Sequence, residues 1–218
     1  MDNIKAVIFD VDETLVDRRA ALILLFEYFI DKYAGEYPYK GSREELIDYM
    51  IEIDENGYSG LDKFFRKLHK RWKLPHSAEA FIKERNDIFG GLAVPFPEMF
   101  EVLDSLKGKY KLGIITNGYS SVQREKIRKV NIAEYFDDII VSGEQPYAKP
   151  DPRIFELACR NLGVKPEEAV FIGDYYPNDI AGALSAKIMP IWINNNPDEH
   201  KEYQGIRVSR LKDILEFL

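Results

Sequence analysis

The feature that most limits what this chain can fold into is a short apolar run followed at once by two aspartates. The run lies between Ile4 and Phe9, and Asp10 and Asp12 come directly after it, one residue apart. Its length and its β-branched residues predict a buried strand rather than a helix. In an open parallel sheet, ligands bind outside the carboxyl ends of the strands. We therefore expect both carboxylates to lie in a binding crevice.

Strand and helix patterns alternate from residue 95 to the end of the chain. Four short apolar runs predict strands, at 111–116, 138–142, 169–174 and 189–194. Helical spacing predicts helices before and between them, and residues 208–218 are expected to close the chain mostly as helix. Such alternation implies right-handed crossovers and a parallel sheet.

Residues 17–94, in contrast, show only helical patterns. Four apolar or amphipathic stretches predict helices, at 18–33, 42–53, 60–72 and 77–89. Turns that contain glycine or proline separate these helices. The sequence therefore predicts an α/β protein in which residues 1–16 and 95–218 form a doubly wound, Rossmann-like parallel-sheet core. Residues 17–94 would form an inserted α-helical domain.

Composition excludes several classes of protein. Hydrophobic residues make up 45% of the 218 residues, which is enough for a packed core. The formal net charge of −7 argues against nucleic acid or an anionic membrane as the main partner, because both attract basic surfaces. The single cysteine, Cys159, lies in a helical pattern and is expected to be a buried apolar residue. With no leader segment and no apolar run long enough for a bilayer, we expect a cytoplasmic protein.

Polar residues stand at the ends of the predicted strands or in the loops that follow them. They are Asp10, Asp12, Thr116, Asn117, Lys149, Asp174 and Asp179. Because the strands are parallel, these positions all emerge at one edge of the sheet. A cluster of acids with a hydroxyl and a lysine is therefore expected there.

Such a cluster suits phosphoryl transfer. Crowded carboxylates raise one another's pKa values, and a divalent cation relieves their repulsion. Oxygen ligands of this kind favour Mg²⁺ over Zn²⁺. The Thr116 hydroxyl, the Asn117 backbone N–H and the Lys149 ammonium are expected to bind phosphate oxygens. One carboxylate then remains to attack phosphorus, and a second can protonate the leaving alcohol and later deprotonate water.

Four segments of the chain resemble the four ordered motifs of the haloacid dehalogenase (HAD) superfamily. They are residues 10–16 (DVDETLV), 114–117 (IITN), 148–152 (AKPDP) and 173–179 (GDYYPND). The resemblance covers nearly the whole core, and residues 17–94 look like the type-1 helical cap of that family. It implies hinges at 16–18 and 93–97, about which the cap would close to exclude water from the site.

The resemblance also implies roles for the first three motifs. Asp10 would be the nucleophile and a Mg²⁺ ligand. Asp12 would be the general acid and base, and it would bind the metal through its backbone carbonyl. Thr116 would bind phosphate, and Lys149 would steady the phosphorylated enzyme.

The last motif would supply further metal contacts. By the resemblance, Asp174 would bind Mg²⁺, and Asp179 would support either the metal's ligands or Lys149. Two residues depart from the family pattern: Glu13 stands where many members have glycine, and Tyr175 stands where serine is frequent.

The acid at position 12 distinguishes branches of the family, because a halide needs no proton on leaving whereas an alcohol does. The resemblance therefore implies a phosphatase that uses Mg²⁺ and an aspartyl-phosphate to hydrolyse a small phosphate monoester, of the nucleotide or sugar phosphate class. Its partner would be a small phosphorylated metabolite, and the protein would be a monomer or homodimer. Two alternatives stay open: a phosphomutase with the same site, and a non-enzymatic phospho-switch of receiver type.

Overall fold

In the computed structural model, which describes residues 3–196 and 198–218, the chain divides into two compact units. The core unit comprises the chain up to Asp17 together with Pro95–Leu218, and the helical unit comprises Arg18–Val94. Each unit has a buried apolar interior of its own.

The core unit is built on one six-stranded parallel sheet. Its strands are β1 (Ala6–Phe9), β2 (Lys111–Thr116), β3 (Asp138–Val141), β4 (Ala169–Gly173), β5 (Met189–Ile193) and β6 (Ile206–Val208). They lie in the order β3-β2-β1-β4-β5-β6, so the chain proceeds outward from β1 on both sides. A sheet of this topology has a crevice at the carboxyl end of its central strand, where the strand order reverses. The parallel sheet flanked by helices confirms the predicted fold class.

The helical unit contains the four predicted helices, each within one residue of its expected bounds. They are α1 (Arg18–Tyr33), α2 (Arg43–Asp54), α3 (Leu61–Arg71) and α4 (Ala78–Phe89). α2 begins at a capping box, in which the Ser42 hydroxyl accepts the Glu45 N–H and the Glu45 carboxylate accepts the Ser42 N–H. The rings of Phe29 and Phe64 both stack on Phe81, with centroids 4.7 and 6.0 Å away. These stacked rings form part of the unit's interior.

Among the described residues of the core unit, four segments form α-helices. They are α5 (Met99–Leu106), α6 (Ser120–Lys129), α7 (Pro152–Leu162) and α8 (Ala181–Ser185). Phe155 of α7 packs edge-on against Phe171 of β4, with ring centroids 5.0 Å apart. Cys159 lies in the same buried cluster, as predicted, and burial raises the pKa of its thiol to about 11. Among the described residues, no helix combines the length and the apolar character needed to cross a membrane.

The end of the chain corrects the sequence prediction. Residues 208–218 do not form mainly an α-helix: Val208 ends strand β6, and Leu211–Glu216 forms a 3₁₀-helix. β6 has only three residues, too few for a detectable alternation, but it satisfies the backbone groups on the outer edge of β5. A π-helical turn, Tyr176–Ile180, also replaces the first part of the helix predicted over 178–186.

Candidate active site

Residues predicted from the strand ends meet in the core unit at the carboxyl end of β1. Asp10 extends the pairing of β1, because its N–H donates to the Ile172 carbonyl at 2.9 Å. Lys149 lies in the loop before α7, and its Nζ is 2.7 Å from Asp10 Oδ1 and 2.7 Å from Asp179 Oδ1. The lysine side chain is only 2% exposed, so both ion pairs are shielded from water. One buried ammonium therefore joins three separate segments of the chain.

Asp10, Asp174 and Asp179 form a group that fits a metal ion. Each offers a carboxylate oxygen, and these three oxygens lie within 4.8 Å of one another. The ammonium of Lys149 balances only part of their charge, and a divalent cation would balance the rest. Carboxylate oxygens are the ligands that Mg²⁺ prefers. The donor set therefore suits the magnesium ion that the sequence predicts.

Burial dominates the electrostatics of this acidic group. It raises the pKa of Asp10 from 3.8 to about 7, with Lys149 opposing the shift and Asp179 adding to it. Burial, followed by the carboxylates of Asp179 and Asp10, raises the pKa of Asp174 well above its ordinary value. Burial lowers the pKa of Lys149, but its two carboxylate partners outweigh this effect and hold the pKa above its ordinary value. Asp10 and Asp174 thus resist ionisation unless a cation joins them.

Backbone contacts hold the two acids that follow β4. Asp179 accepts the Tyr175 N–H at 3.0 Å, and the Trp192 indole N–H donates to the Asp174 carbonyl at 2.6 Å. The Asp179 side chain packs so closely on Gly173 that only glycine fits there, because a Cβ at this position would lie 2.5 Å from Asp179 Oδ2. Tyr175, at the position where serine is frequent in the family, therefore supports the site through its backbone N–H.

Thr116 and Asn117 lie where β2 ends. The buried Thr116 hydroxyl accepts a short hydrogen bond from Gln123 Nε2. The side-chain amide of Asn117 accepts the Lys149 N–H at 3.0 Å and donates to the Lys149 carbonyl at 2.9 Å. That side chain therefore holds the loop from which Lys149 projects. The phosphate contact expected of Asn117 involves its backbone N–H and remains a prediction.

The Asp12 carboxylate is held apart from the acidic group. Its two oxygens lie 2.6 and 2.7 Å from Lys126 Nζ, and Oδ2 also accepts a hydrogen bond from Gln123 Nε2 at 3.1 Å. Lys126 thus holds the predicted acid and base, whereas Lys149 holds the predicted nucleophile, Asp10. The metal contact expected of the Asp12 carbonyl remains a prediction.

Sequence reasoning assigned no function to Gln123 or Lys126. Both lie on α6, three residues apart, on a buried face that also carries Val122 and Ile127. A lysine on such a face is a signal, because lysine is almost never fully buried without a partner. The pattern did not identify the partner, because Asp12 lies 114 residues away in the chain.

Glu13 adopts a left-handed backbone conformation, with φ of 56°. Its N–H donates to the Val16 carbonyl at 2.8 Å and closes the turn that follows Asp12. Glycine reaches this conformation without steric cost, whereas other L-residues lose about 1 kcal/mol. The glycine that many family members have at this position therefore suits the turn, and Glu13 occupies it under strain.

We expect Glu13→Gly to be more stable than Glu13→Ala by about 1 kcal/mol, because both remove the same carboxylate but only glycine relieves the strain. Urea unfolding with EDTA measures the difference. The same pair of replacements at Glu125, in the middle of α6, is the control and should rank in the opposite order. Equal stability of the two variants at position 13 would show that the backbone there is not strained.

Comparison with known proteins places the chain in a family. The sequence model of haloacid dehalogenase-like hydrolases matches residues 7–193. A glyceraldehyde 3-phosphate phosphatase of Methanothermobacter thermautotrophicus is 34% identical over 97% of this chain and 96% of its own. A pyrimidine 5′-nucleotidase of Escherichia coli is 33% identical over 90% of this chain and 88% of its own. An N-acylneuraminate-9-phosphatase of Homo sapiens is 28% identical over 90% of this chain and 85% of its own.

A solved structure shows the same fold. The HAD-hydrolase YfnB of Bacillus subtilis, bound to magnesium, matches with a TM-score of 0.85 at 19% identity and over 99% of each chain. At that identity the likeness concerns the fold alone. The family follows from the sequence model, which spans most of the chain, and from 34% identity to a relative aligned almost end to end. The chain belongs to the haloacid dehalogenase-like hydrolases.

Proposed function

We propose that this chain is a Mg²⁺-dependent phosphatase that hydrolyses a small phosphate monoester through an aspartyl-phosphate. The observation that carries the proposal is the buried Lys149 ammonium between Asp10 and Asp179. This arrangement brings together a carboxylate nucleophile (Asp10), a cation for phosphate (Lys149) and a metal-binding acid (Asp179) in one site. The phosphatases among the relatives support the same class of reaction.

In this proposal, Asp10, Asp174 and Asp179 hold Mg²⁺. When bound, the ion neutralises charge on the phosphate and among the carboxylates. The Thr116 hydroxyl donates to one of the remaining phosphate oxygens, and the Lys149 ammonium binds another. Their part is to hold phosphorus in reach of Asp10.

Asp10 and Asp12 divide the bond-making and proton-transfer steps. A carboxylate oxygen of Asp10 attacks phosphorus, the ester P–O bond breaks, and Asp12 donates a proton to the leaving alcohol. Asp12 then accepts a proton from water as that water attacks the aspartyl-phosphate. The P–O bond to Asp10 breaks, inorganic phosphate leaves, and the Asp10 carboxylate and the Asp12 proton are both restored.

For the substrate, we propose a short phosphorylated sugar-like metabolite, with glyceraldehyde 3-phosphate as the first candidate. The support is the name of the relative that is 34% identical over nearly the whole chain. The nucleotidase and the N-acylneuraminate-9-phosphatase make nucleotides and larger sugar phosphates the next candidates.

The test is release of inorganic phosphate from a panel of glyceraldehyde 3-phosphate, a pyrimidine 5′-nucleotide, phosphoserine and p-nitrophenyl phosphate. With Mg²⁺ we expect stoichiometric phosphate. Glyceraldehyde 3-phosphate should exceed the other metabolites in kcat/KM by about tenfold or more, which corresponds to about 1.4 kcal/mol of preferential transition-state binding. EDTA should abolish release, and added Mg²⁺ should restore it.

The alternatives predict different products. A phosphomutase would return the phosphoryl group to the substrate, so an isomer would accumulate without stoichiometric phosphate. A phospho-switch would form a lasting aspartyl-phosphate on Asp10 without turnover. Either result would overturn the proposed hydrolysis, whereas a different preferred ester would overturn only the substrate assignment.

A further inference from the structure

Helix α6 brings two polar side chains to Asp12. Lys126 Nζ contacts both Asp12 oxygens, at 2.6 and 2.7 Å, and Gln123 Nε2 donates to Oδ2 at 3.1 Å. The same Gln123 nitrogen also donates to Thr116 Oγ1. One side-chain amide therefore connects the proposed phosphate ligand to the proposed acid and base.

Both residues on α6 are shielded from water, whereas their carboxylate partner is partly accessible. The Lys126 side chain is 3% exposed and that of Asp12 is 21% exposed. Gln123 is 2% exposed. The carboxylate is thus fixed by contacts from the protein interior while part of it stays open to a ligand.

Stability alone does not account for this arrangement. Burying an ammonium and an amide carries a desolvation cost, and a well-packed apolar pair of similar volume is often as stable or more so. Gln123 and Lys126 share a face with apolar residues of α6, where such a pair would also fit the helix pattern. The polar pair is better explained by the group that it holds.

We infer that Lys126 and Gln123 are positioning residues that hold the Asp12 carboxylate in place for proton transfer. The inference rests on the proposed function, in which Asp12 exchanges a proton with the leaving alcohol. Lys126 fixes the plane of the carboxylate by contacting both oxygens. Gln123 fixes the separation between the Asp12 carboxylate and Thr116. The proton of Asp12 and the phosphate-binding hydroxyl of Thr116 are then presented to the same ester.

The leaving group separates this role from a structural one. An alkyl alcohol needs a proton from Asp12 when the ester breaks, whereas p-nitrophenolate leaves without one. The ratio kcat/KM reports the steps up to ester cleavage, so later attack by water does not affect it. The probes are therefore p-nitrophenyl phosphate and the alkyl phosphate of the panel that the wild-type protein hydrolyses fastest.

We expect Lys126→Met to lower kcat/KM for the alkyl phosphate by about 10²-fold, and for p-nitrophenyl phosphate by less than about tenfold. Lys126→Arg keeps the positive charge and should recover part of the selective loss. Lys129→Met replaces an exposed lysine on the same helix and should leave both values within about twofold of wild type.

Gln123→Met is the second variant, and it tests the positioning of Asp12 if Lys126→Met does not fold. It removes the donor to Asp12 and Thr116, so it should show the same selective loss for the alkyl ester. Circular dichroism and thermal unfolding establish that each variant is folded.

Equal losses for the two esters in the folded variants, or no loss, would overturn the inference and make the pair a structural tie. Failure of the wild-type protein to release phosphate from any ester would instead overturn the proposed function. The two failures are therefore distinguishable.

Discussion

Replacing Asp10 with asparagine should abolish phosphate release from every ester that the wild-type protein hydrolyses. The amide is a poor nucleophile towards phosphorus, and the change also removes one charge from the proposed metal site. We expect kcat to fall on the order of 10⁴-fold or more, measured with p-nitrophenyl phosphate and Mg²⁺. Asp104→Asn, at an exposed acid on α5, is the matched control and should keep the wild-type rate. If Asp10→Asn kept most of the wild-type activity, the assignment of Asp10 as the nucleophile would be wrong.

The same replacement has a pH-dependent effect on stability in the absence of metal. Burial raises the pKa of Asp10 from 3.8 to about 7. A carboxyl group with a raised pKa in the folded state contributes its full stability at acid pH and loses it as the pH rises through that pKa. The asparagine side chain does not titrate. Urea unfolding with EDTA should therefore show the stability of Asp10→Asn, relative to wild type, increasing from pH 5 to pH 8.

Lys149→Met should destabilise the metal-free protein by about 3–5 kcal/mol at pH 8. The change leaves two buried carboxylates, Asp10 and Asp179, without the ammonium that lies 2.7 Å from each. For a chain of this length, such a loss lowers the Tm by roughly 10 °C. Urea and thermal unfolding with EDTA measure both quantities.

Acid pH provides an internal control for Lys149→Met. At pH 5 the Asp10 carboxyl, whose pKa burial raises to about 7, is protonated, so the difference from wild type should shrink. Lys129→Met, which removes an exposed ammonium, should change stability by less than about 0.5 kcal/mol at either pH. A loss below about 1 kcal/mol at pH 8 would contradict the role of Lys149 as the buried counter-charge.

The meeting of Asp10, Lys149, Asp174 and Asp179 was predictable because it depends on topology. Each residue stands at the end of an apolar strand or in the segment that follows one. Parallel strands bring their carboxyl ends to one edge of a sheet, whatever the sequence distance between them. The roles assigned to these residues came from the family resemblance and remain predictions.

Gln123, Lys126 and strand β6 were not predictable in the same way. Helical spacing shows which residues of α6 share a face, but it does not show what that face contacts. β6 is too short for a period to appear, and it forms because β5 presents an edge to pair with. The left-handed conformation of Glu13 could not be predicted from residue type either, because glutamate seldom adopts it.

Because Asn117 bonds both backbone groups of Lys149, the base of that side chain is anchored independently of the ion pairs that its ammonium makes. In the proposed cycle, the Asp10 group beside the ammonium alternates between a carboxylate and an aspartyl-phosphate. A flexible four-carbon stem can follow these changes by rotation about its own bonds. In the loop between β3 and α7, the backbone of Lys149 then keeps its position, and repeated turnover requires no rearrangement of it.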